Sequence, residues 1–455
     1  MKKRILASFL SLVLVLSLVP MSALAVEEQT GPETPVCARL EGCTEDAHDP
    51  ACPLYVAPGG DNNAYYEFED VTTLGTPSAL TTQAADGMSG TCGATESNSV
   101  TWALTENEDG EDTYTLTISG EGAMADYAKN STAATDEKPI YTSAPWRTAS
   151  VVKTENVLSG DTTYGGTYYT GITRIVVENG VTRIGSSAFS YMKDVKEVSI
   201  ADSVTSIGDR AFMYNYSLES ITLPDSVKME TLYGSNQDGD GELLLGHCYS
   251  LKNVTLGSGF TVIPCRAFEG TNISPEQITM DRSKITGIGT QAFYNNTMSA
   301  EELDLTSFSS LKDLRSNTFS FWTIERVKFP ASLEELGSFN TVEGLSEVNW
   351  TDLTNLKKIA ANAFKETEIE AADLSNTQIT DIGWGAFENC GSLATVVLPD
   401  TVTTIGGDAF IGLPAGSTIT VSDDKYTLLT GKYTPENTSI ITMGPLSPGR
   451  KKPLA

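Results

Sequence analysis

A six-residue motif that returns about every 23 residues restricts this chain to a repeat architecture. The motif is Ile-Gly-x-x-Ala-Phe, and five near-identical copies end at Phe189, Phe212, Phe293, Phe387 and Phe410. Weaker copies fill the intervals and end at Leu245, Phe268, Phe319, Phe339 and Phe364. One unit of this length cannot bury its own apolar residues, whereas stacked units share a continuous core. The sequence therefore predicts a solenoid of about ten coils, in which these ten anchor residues form a buried column.

A second pattern between the anchors predicts one short strand in each coil. In Leu218-Glu-Ser-Ile221-Thr-Leu223 the apolar residues occupy the first, fourth and sixth places. The same spacing recurs in 251–256 and 393–398. The fourth and sixth places lie on one face of a strand, and a following proline such as Pro224 ends it. The predicted fold class is mainly β, an α/β-type solenoid whose ten coils would extend about 45 to 50 Å.

The region ahead of the repeats divides into two segments. Residues 26–90 contain six prolines and little apolar periodicity, which predicts an acidic, cysteine-containing linker. In residues 91–170, apolar and polar residues alternate over 100–104 and 114–118 around an acidic turn, and this pattern predicts a β-hairpin in an N-terminal β cap. The solenoid is then expected over 171–421, with a C-terminal cap and tail over 422–455.

Residues 1–25 have the features of a secretory signal peptide. Three basic residues (2–4) precede an apolar run from Ile5 to Val19, and the small-residue exit is Ala23-Leu24-Ala25. A retained transmembrane helix needs about 18 to 20 apolar residues, and no second apolar span of that length occurs. We expect a secreted or extracellular protein, with or without association to the cell surface, and no transmembrane anchor.

The charge balance excludes several functions. The chain has 59 acidic and 30 basic residues, a net charge of -29, and residues 26–170 alone hold 24 acidic against 5 basic residues. Such a chain repels phosphate backbones, so no nucleic-acid partner is expected. Only two histidines occur, and no nucleophile elbow, zinc-protease motif or phosphate loop is present. The sequence favours a non-enzyme, with a polysaccharide-processing enzyme as a remote alternative.

The repeat resembles that of BspA-like bacterial leucine-rich repeat proteins. The segment from Ser392 to Phe410 is similar to the unit of that family almost throughout, and the similarity covers about residues 171 to 421. The segment around Cys92, Trp102 and 118–122 also resembles the β segment that precedes such repeats in secreted members. The resemblance implies a curved solenoid at the cell surface or in the medium, with an adhesion-like role in contacting host proteins.

The outward residues of the predicted strands form the candidate binding face. The residue between the fourth and sixth places of each strand gives a column, which comprises Thr222, Thr255, Thr279, Asp304, Lys328, Asn349 and Asp373. Arg326 and Glu347 lie two places before their column members. Solenoids use such faces to bind extended partners, so we expect an extracellular protein or glycan as the partner. The alternatives are an ordinary solvated sheet and a structural envelope component without a specific ligand.

Two segments contain candidate metal ligands, although no cofactor is required by any motif. In the enlarged coil before Leu245, the oxygen ligands Asn236, Asp238, Asp240 and Glu242 resemble the first half of a calcium loop, and a solvated acidic turn is the alternative. The N-terminal set consists of Cys37, Cys43, His48 and Cys52. It fits a zinc site, a disulfide with a partner such as Cys92, or free thiols. Cys248 and Cys390 follow their anchors by three residues, a position that predicts packing.

Overall fold

The computed structural model describes residues 88–108, 111, 113–127, 144–156, 167–230, 232, 242–296, 298–340, 342–421 and 440–443. The predicted signal peptide, the predicted linker up to residue 87 and most of the predicted C-terminal tail lie outside these residues. Within them the regular structure consists of short β-strands and single 3-10 turns, and it contains no α-helix. The mainly β class predicted from the repeat is confirmed.

The first nine strands join the N-terminal segment to the first coils. They are β1 (Ser89–Thr91), β2 (Thr101–Glu106), β3 (Tyr114–Ser119), β4 (Gly122–Ala123), β5 (Lys153–Asn156), β6 (Thr167–Thr170), β7 (Ile172–Val177), β8 (Val181–Ile184) and β9 (Glu197–Ile200). The antiparallel pairing of β2 with β3 confirms the predicted hairpin. β3 then pairs in parallel with β7, the first strand of the repeats, in a sheet of order β1-β2-β3-β7-β9. The hairpin thus covers the edge that the first coil would otherwise expose.

One face of the solenoid carries the strands predicted from the leucine pattern. These strands form three successive parallel sheets: β11 (Ser220–Thr222), β12 (Asn253–Thr255) and β14 (Ile278–Thr279); β16 (Ser299–Asp304), β18 (Thr323–Lys328) and β20 (Glu347–Val348); β22 (Ala371–Asp373), β24 (Thr395–Val397), β26 (Thr418–Val421) and β27 (Ile440–Met443). We call their outward surface the sheet face. Leu218, Ile221 and Leu223 are all buried behind it, as the spacing predicts.

A second face is formed by two-residue strands that precede the anchors. A seven-stranded parallel sheet contains β13 (Val262–Ile263), β15 (Gly287–Ile288), β17 (Asp313–Leu314), β19 (Glu335–Leu336), β21 (Lys358–Ile359), β23 (Asp381–Ile382) and β25 (Thr404–Ile405). β10 (Ser206–Ile207) pairs in parallel with β8, and β8 pairs in parallel with β4. Four 3-10 turns complete the described elements: Pro145–Thr148, Pro275–Gln277, Arg282–Lys284 and Trp350–Asp352. No described helix is long and apolar enough to span a bilayer.

The core contains the predicted anchor column. Successive phenylalanine rings stack along it, with ring centroids 5.3 Å apart for Phe268 and Phe293 and 5.6 Å apart for Phe387 and Phe410. All ten anchors are buried. The ring stack is interrupted only at Leu245 among these anchors, since leucine fills the position without a ring. Burial of these side chains between neighbouring coils provides the main driving force for folding.

Each coil turns sharply around its anchor, a feature that the sequence pattern did not predict. The residue two places before the anchor and the residue two places after it have positive φ angles in coil after coil, for example Arg210 and Tyr214 around Phe212, with φ of 57° and 62°. Residues other than glycine are uncommon in this conformation. Here the backbone N–H of Tyr214 donates to the carbonyl of Gly246 in the next coil over 2.9 Å. Hydrogen bonds between coils therefore hold the strained residues in place.

Candidate binding surfaces

The first part of the sheet face is neutral and rich in hydroxyl groups. Thr222 lies directly opposite Thr255, and Thr255 lies opposite Thr279. Thr222 and Thr279 are exposed, while Thr255 is half-buried. The predicted column is therefore aligned over three neighbouring coils, and its hydroxyl groups can donate and accept hydrogen bonds.

The second part of the sheet face is charged, and its charges pair with one another. Asp304 lies opposite Lys328, and Arg326 lies between Glu302 and Glu347. The Nζ of Lys328 is 2.8 Å from the Oε1 of Glu302, and the Nε of Arg326 is 3.5 Å from the Oε2 of the same residue. The hydrogen bond from Lys328 lowers the pKa of Glu302. Such exposed pairs contribute little to stability, so they leave these side chains available to a partner.

The remaining members of the predicted column have different environments. Asp373 is exposed on β22, where its Oδ1 accepts a hydrogen bond from the backbone N–H of Ser375 over 3.1 Å. Asn349 instead turns back onto the chain. Its Oδ1 accepts from the backbone N–H of Phe329 over 2.9 Å, and its Nδ2 donates to the carbonyl of the same residue over 3.0 Å. The amide of Asn349 is therefore occupied in holding the preceding coil, and the assignment of this residue to a binding face stays a prediction.

The column is also divided between sheets. Thr222, Thr255 and Thr279 belong to the first sheet, Asp304 and Lys328 to the second, and Asp373 to the third. The structure thus places the predicted residues on one series of strands but does not join them into one continuous ladder. A partner that binds this face would meet a neutral part and then a charged part.

Most of the candidate metal ligands lie outside the described residues: Cys37, Cys43, His48, Cys52, Asn236, Asp238 and Asp240. Glu242 is described, and its Oε2 is 3.7 Å from the Nη2 of Arg210. Its backbone N–H donates to the Oδ1 of Asp209 over 2.9 Å. Over the described ranges, no group of three or more His, Cys, Asp or Glu side chains could hold a metal ion. The calcium and zinc hypotheses remain predictions from the sequence.

The described cysteines are free thiols in packed surroundings. Cys92, the suggested partner for an N-terminal cysteine, is buried and free, and burial raises its pKa to about 12. Burial also raises the pKa of Cys248 to about 12 and that of Cys390 to about 11, so both are protonated near neutral pH. The predicted packing role of these two is confirmed by their complete burial. The thiol of half-buried Cys265 donates to the carbonyl of Leu232.

A buried polar cluster lies beside the interruption in the anchor column. The His247 ring lies parallel to that of Tyr214, with centroids 4.6 Å apart. Its Nε2 is 3.4 Å from the Oε1 of Glu269, which also accepts from Arg266 over 3.1 Å. Burial alone would raise the pKa of Glu269, but the hydrogen bonds from His247 and Arg266 outweigh that effect and lower it. The repeat pattern does not reveal this cluster, because its members come from three successive coils.

The turn after the anchors also carries exposed aromatic rings that the sequence analysis did not single out. Tyr249 and Phe321 are 49% and 52% exposed. The ring of Tyr216 lies 5.2 Å from that of Tyr249, and the ring of Tyr294 lies 5.2 Å from that of Phe321. Comparison of equivalent positions in neighbouring coils could have identified both residues as unusual. Asn272 occupies the position of Tyr249 in the next coil, and Asn295 occupies the position of Phe321 in the preceding coil.

The parallel strands, the leucine-bearing positions and the stacked anchors define a leucine-rich repeat solenoid. Residues 166–233, 242–340 and 337–434 match the BspA type leucine-rich repeat region in six copies. These residues form more than half of the chain, and the protein therefore belongs to the BspA-type leucine-rich repeat family. The resemblance noted in the sequence is confirmed.

Solved structures similar to this chain are bacterial proteins of low sequence identity. A leucine-rich repeat protein from Eubacterium ventriosum is 18% identical with a TM-score of 0.31, and the match covers 71% of this chain and 95% of that one. The pneumococcal vaccine antigen PcpA is 15% identical with a TM-score of 0.32, over 78% and 100% of the chains. A leucine rich cell surface protein from Faecalibacterium prausnitzii is 17% identical with a TM-score of 0.29, over 74% and 89%. No curated protein matches this chain.

Proposed function

We propose that this protein is a secreted or cell-surface scaffold that binds a macromolecular partner of the host or of a neighbouring cell through the sheet face. The observation that carries the proposal is the in-register alignment of outward polar residues on successive parallel strands. Thr222, Thr255 and Thr279 are aligned in the first sheet, and Glu302, Arg326 and Glu347 are aligned in the second. A repeating surface of this kind suits an extended protein or glycan, since each coil adds equivalent contacts.

Membership of the BspA-type family and the predicted signal peptide support an extracellular location for such a scaffold. The four described thiols also fit a binding protein better than a thiol enzyme. Burial raises the pKa of each of them, whereas a catalytic cysteine needs a lowered value. An adhesion-like role therefore accounts for the fold, the surface chemistry and the predicted export together.

The sheet face can be tested with a triple variant. We expect Asp304→Ala, Lys328→Ala and Asp373→Ala together to lower binding to a partner identified on protein and glycan arrays by about tenfold or more. The measurement is the dissociation constant of the purified chain for the immobilised partner. Retention of full affinity by this variant would show that the partner uses another surface. Absence of any partner on either array would favour a structural envelope component.

The seven-stranded sheet offers a matched control. Glu335, Lys358 and Asp381 are in register on β19, β21 and β23. Their replacement by alanine removes the same numbers of acidic and basic groups from the other face of the same part of the solenoid. This control should bind as the unmodified chain does. An equal loss of affinity in both variants would instead indicate that net charge, rather than the sheet face, governs binding.

A further inference from the structure

The two large apolar side chains that are exposed within the described residues lie on one edge of the solenoid. Tyr249 follows its anchor by four residues and Phe321 follows its anchor by two, so both occupy the turn that leads from the anchors to the sheet face. Phe321 has a φ of 68°, a conformation that is unfavourable for a bulky side chain. At the equivalent place Tyr214 is strained too, but its ring is buried. The backbone conformation belongs to the repeat, since exposed Asn295 and Glu366 share it, but Phe321 differs from them in placing a large apolar ring in solvent, which is unusual unless the ring meets a partner.

Each exposed ring is supported by a second ring, so the edge presents two aromatic platforms. One consists of Tyr216 and Tyr249, and the other of Tyr294 and Phe321. The intervening coil contributes Gly270, whose φ is 67°. A β-carbon at this glycine would lie 2.6 Å from the Nδ1 of His247, so no larger residue fits there without displacing that ring. The surface between the two platforms therefore lies lower than the platforms, because no side chain projects from position 270.

The surface between the platforms is polar and uncharged. In the four coils from Leu245 to Phe319, the exposed residues among the described positions one to four places after the anchors are Tyr249, Asn272, Asn295, Phe321 and Thr323. Glu269 also occupies one of these positions, but its side chain is buried. The same positions after Phe364 carry exposed Glu366 and Glu368. Amides and hydroxyls, with ring faces at both ends, thus distinguish this part of the edge from the later coils. We call it the aromatic edge.

The spacing of the platforms decides the kind of ligand. Tyr249 and Phe321 belong to coils three steps apart, a separation of about 14 Å at the usual distance between neighbouring strands. A protein hot spot concentrates its apolar contacts in one central, desolvated patch. The polar surface around Asn272, between the platforms, interrupts any such patch. A chain of sugar rings places a C–H face on each platform, and its hydroxyls can bond the intervening amides.

We propose that the aromatic edge binds a neutral glycan chain that runs along the solenoid axis. The net charge of -29 disfavours sulfated or otherwise polyanionic glycans. Tyr249, Asn272, Asn295 and Phe321 lie outside the strands of the sheet face, so the present proposal does not depend on the partner proposed for that face. It assigns Tyr249 and Phe321 as ring-stacking residues and Asn272 and Asn295 as hydrogen-bonding residues.

Affinity electrophoresis in native gels tests this proposal with the full chain. The gels contain a neutral polysaccharide (yeast mannan, xylan or laminarin) or the polyanion alginate. We expect at least one neutral polysaccharide to retard the protein, and Phe321→Asn and Tyr249→Asn each to raise its dissociation constant about tenfold. Asn295 occupies the position equivalent to Phe321 in the preceding coil, so Phe321→Asn is expected to fold. Circular dichroism melting verifies that it does.

Glu366→Asn is the matched control, because Glu366 is exposed at the same repeat position with a φ of 63°. It should leave retardation unchanged. The proposal is overturned if no neutral polysaccharide retards the protein, if alginate alone does, or if folded Phe321→Asn and Tyr249→Asn are retarded as strongly as the unmodified chain. The triple variant of Asp304, Lys328 and Asp373 should keep its affinity for the neutral polysaccharide. This separates a failure of the sheet-face proposal from a failure of the present one.

Discussion

The coil that ends at Leu245 and the coils that end at Phe387 and Phe410 fill equivalent positions with different chemistry. In the later coils the anchor rings stack 5.6 Å apart in the core, and the residues two places beyond them carry no rings. At Leu245 the anchor has no ring, and the stacking lies two places further along the chain, where His247 is parallel to Tyr214. At Leu245, aromatic stacking thus occurs at the edge of the solenoid instead of in the core.

This difference shows what the repeat requires. A coil is stable when its inward positions are filled and its buried polar groups are paired, and more than one set of residues meets those conditions. The later coils meet them with apolar packing. The coil of Leu245 brings a histidine into the buried edge and so needs Glu269 of the next coil as its partner. Such a coil is expected to respond to pH, whereas purely apolar packing is not.

The largest expected effect is on the apolar coils. Replacement of Phe387 by alanine removes a fully buried ring that stacks on both Phe364 and Phe410, and it should lower the free energy of unfolding by about 3 to 5 kcal/mol. Leu245→Ala deletes fewer buried atoms and should cost less. Urea unfolding followed by circular dichroism measures both. An unchanged midpoint for Phe387→Ala would contradict the assigned core.

The next effect concerns the buried polar cluster. Glu269→Gln removes the charge that faces His247 and Arg266 within the packed edge, and we expect a loss of about 3 kcal/mol in the same assay. Glu388 is the matched control, since it also follows its anchor by one residue and pairs with Lys365 at 3.1 Å while remaining partly exposed. Glu388→Gln should cost about 1 kcal/mol or less. Equal losses of unfolding free energy from Glu269→Gln and Glu388→Gln would contradict the difference proposed between the two kinds of coil.

The smallest expected effect is on the pH dependence of stability. The pKa of Glu269 is lowered in the folded chain, so its contribution is present above the unfolded pKa of about 4.5 and is lost as the pH falls toward the folded value. Thermal melting between about pH 3 and pH 7 should show that the difference in melting temperature between the unmodified chain and Glu269→Gln becomes smaller below about pH 4.5. A difference in melting temperature that stays constant over this range would mean that ionised Glu269 does not stabilise the coil. Phe387→Ala should show a pH-independent loss.

Much of the fold follows from local sequence patterns. The hairpin of β2 and β3, the buried leucine positions and the anchor column could be assigned because periodicity determines which side chains face inward. The candidate binding face was predicted less completely. Its members lie on successive strands, but Asn349 turns back to Phe329, and the column is divided into three sheets. Periodicity alone does not reveal whether an outward amide meets a backbone group of the neighbouring coil.

The sequence by itself determined the approximate number of coils, the residues that fill their core and the acidic character of the chain. The repeat spacing is a one-dimensional property, and burial follows from it directly. Only the tertiary structure decided which residues of neighbouring coils meet, such as His247 with Glu269, and that the residues two places before and after most of the anchors adopt positive φ angles. These features depend on the lateral register between coils of unequal length, and that register is fixed by packing and by hydrogen bonds between coils.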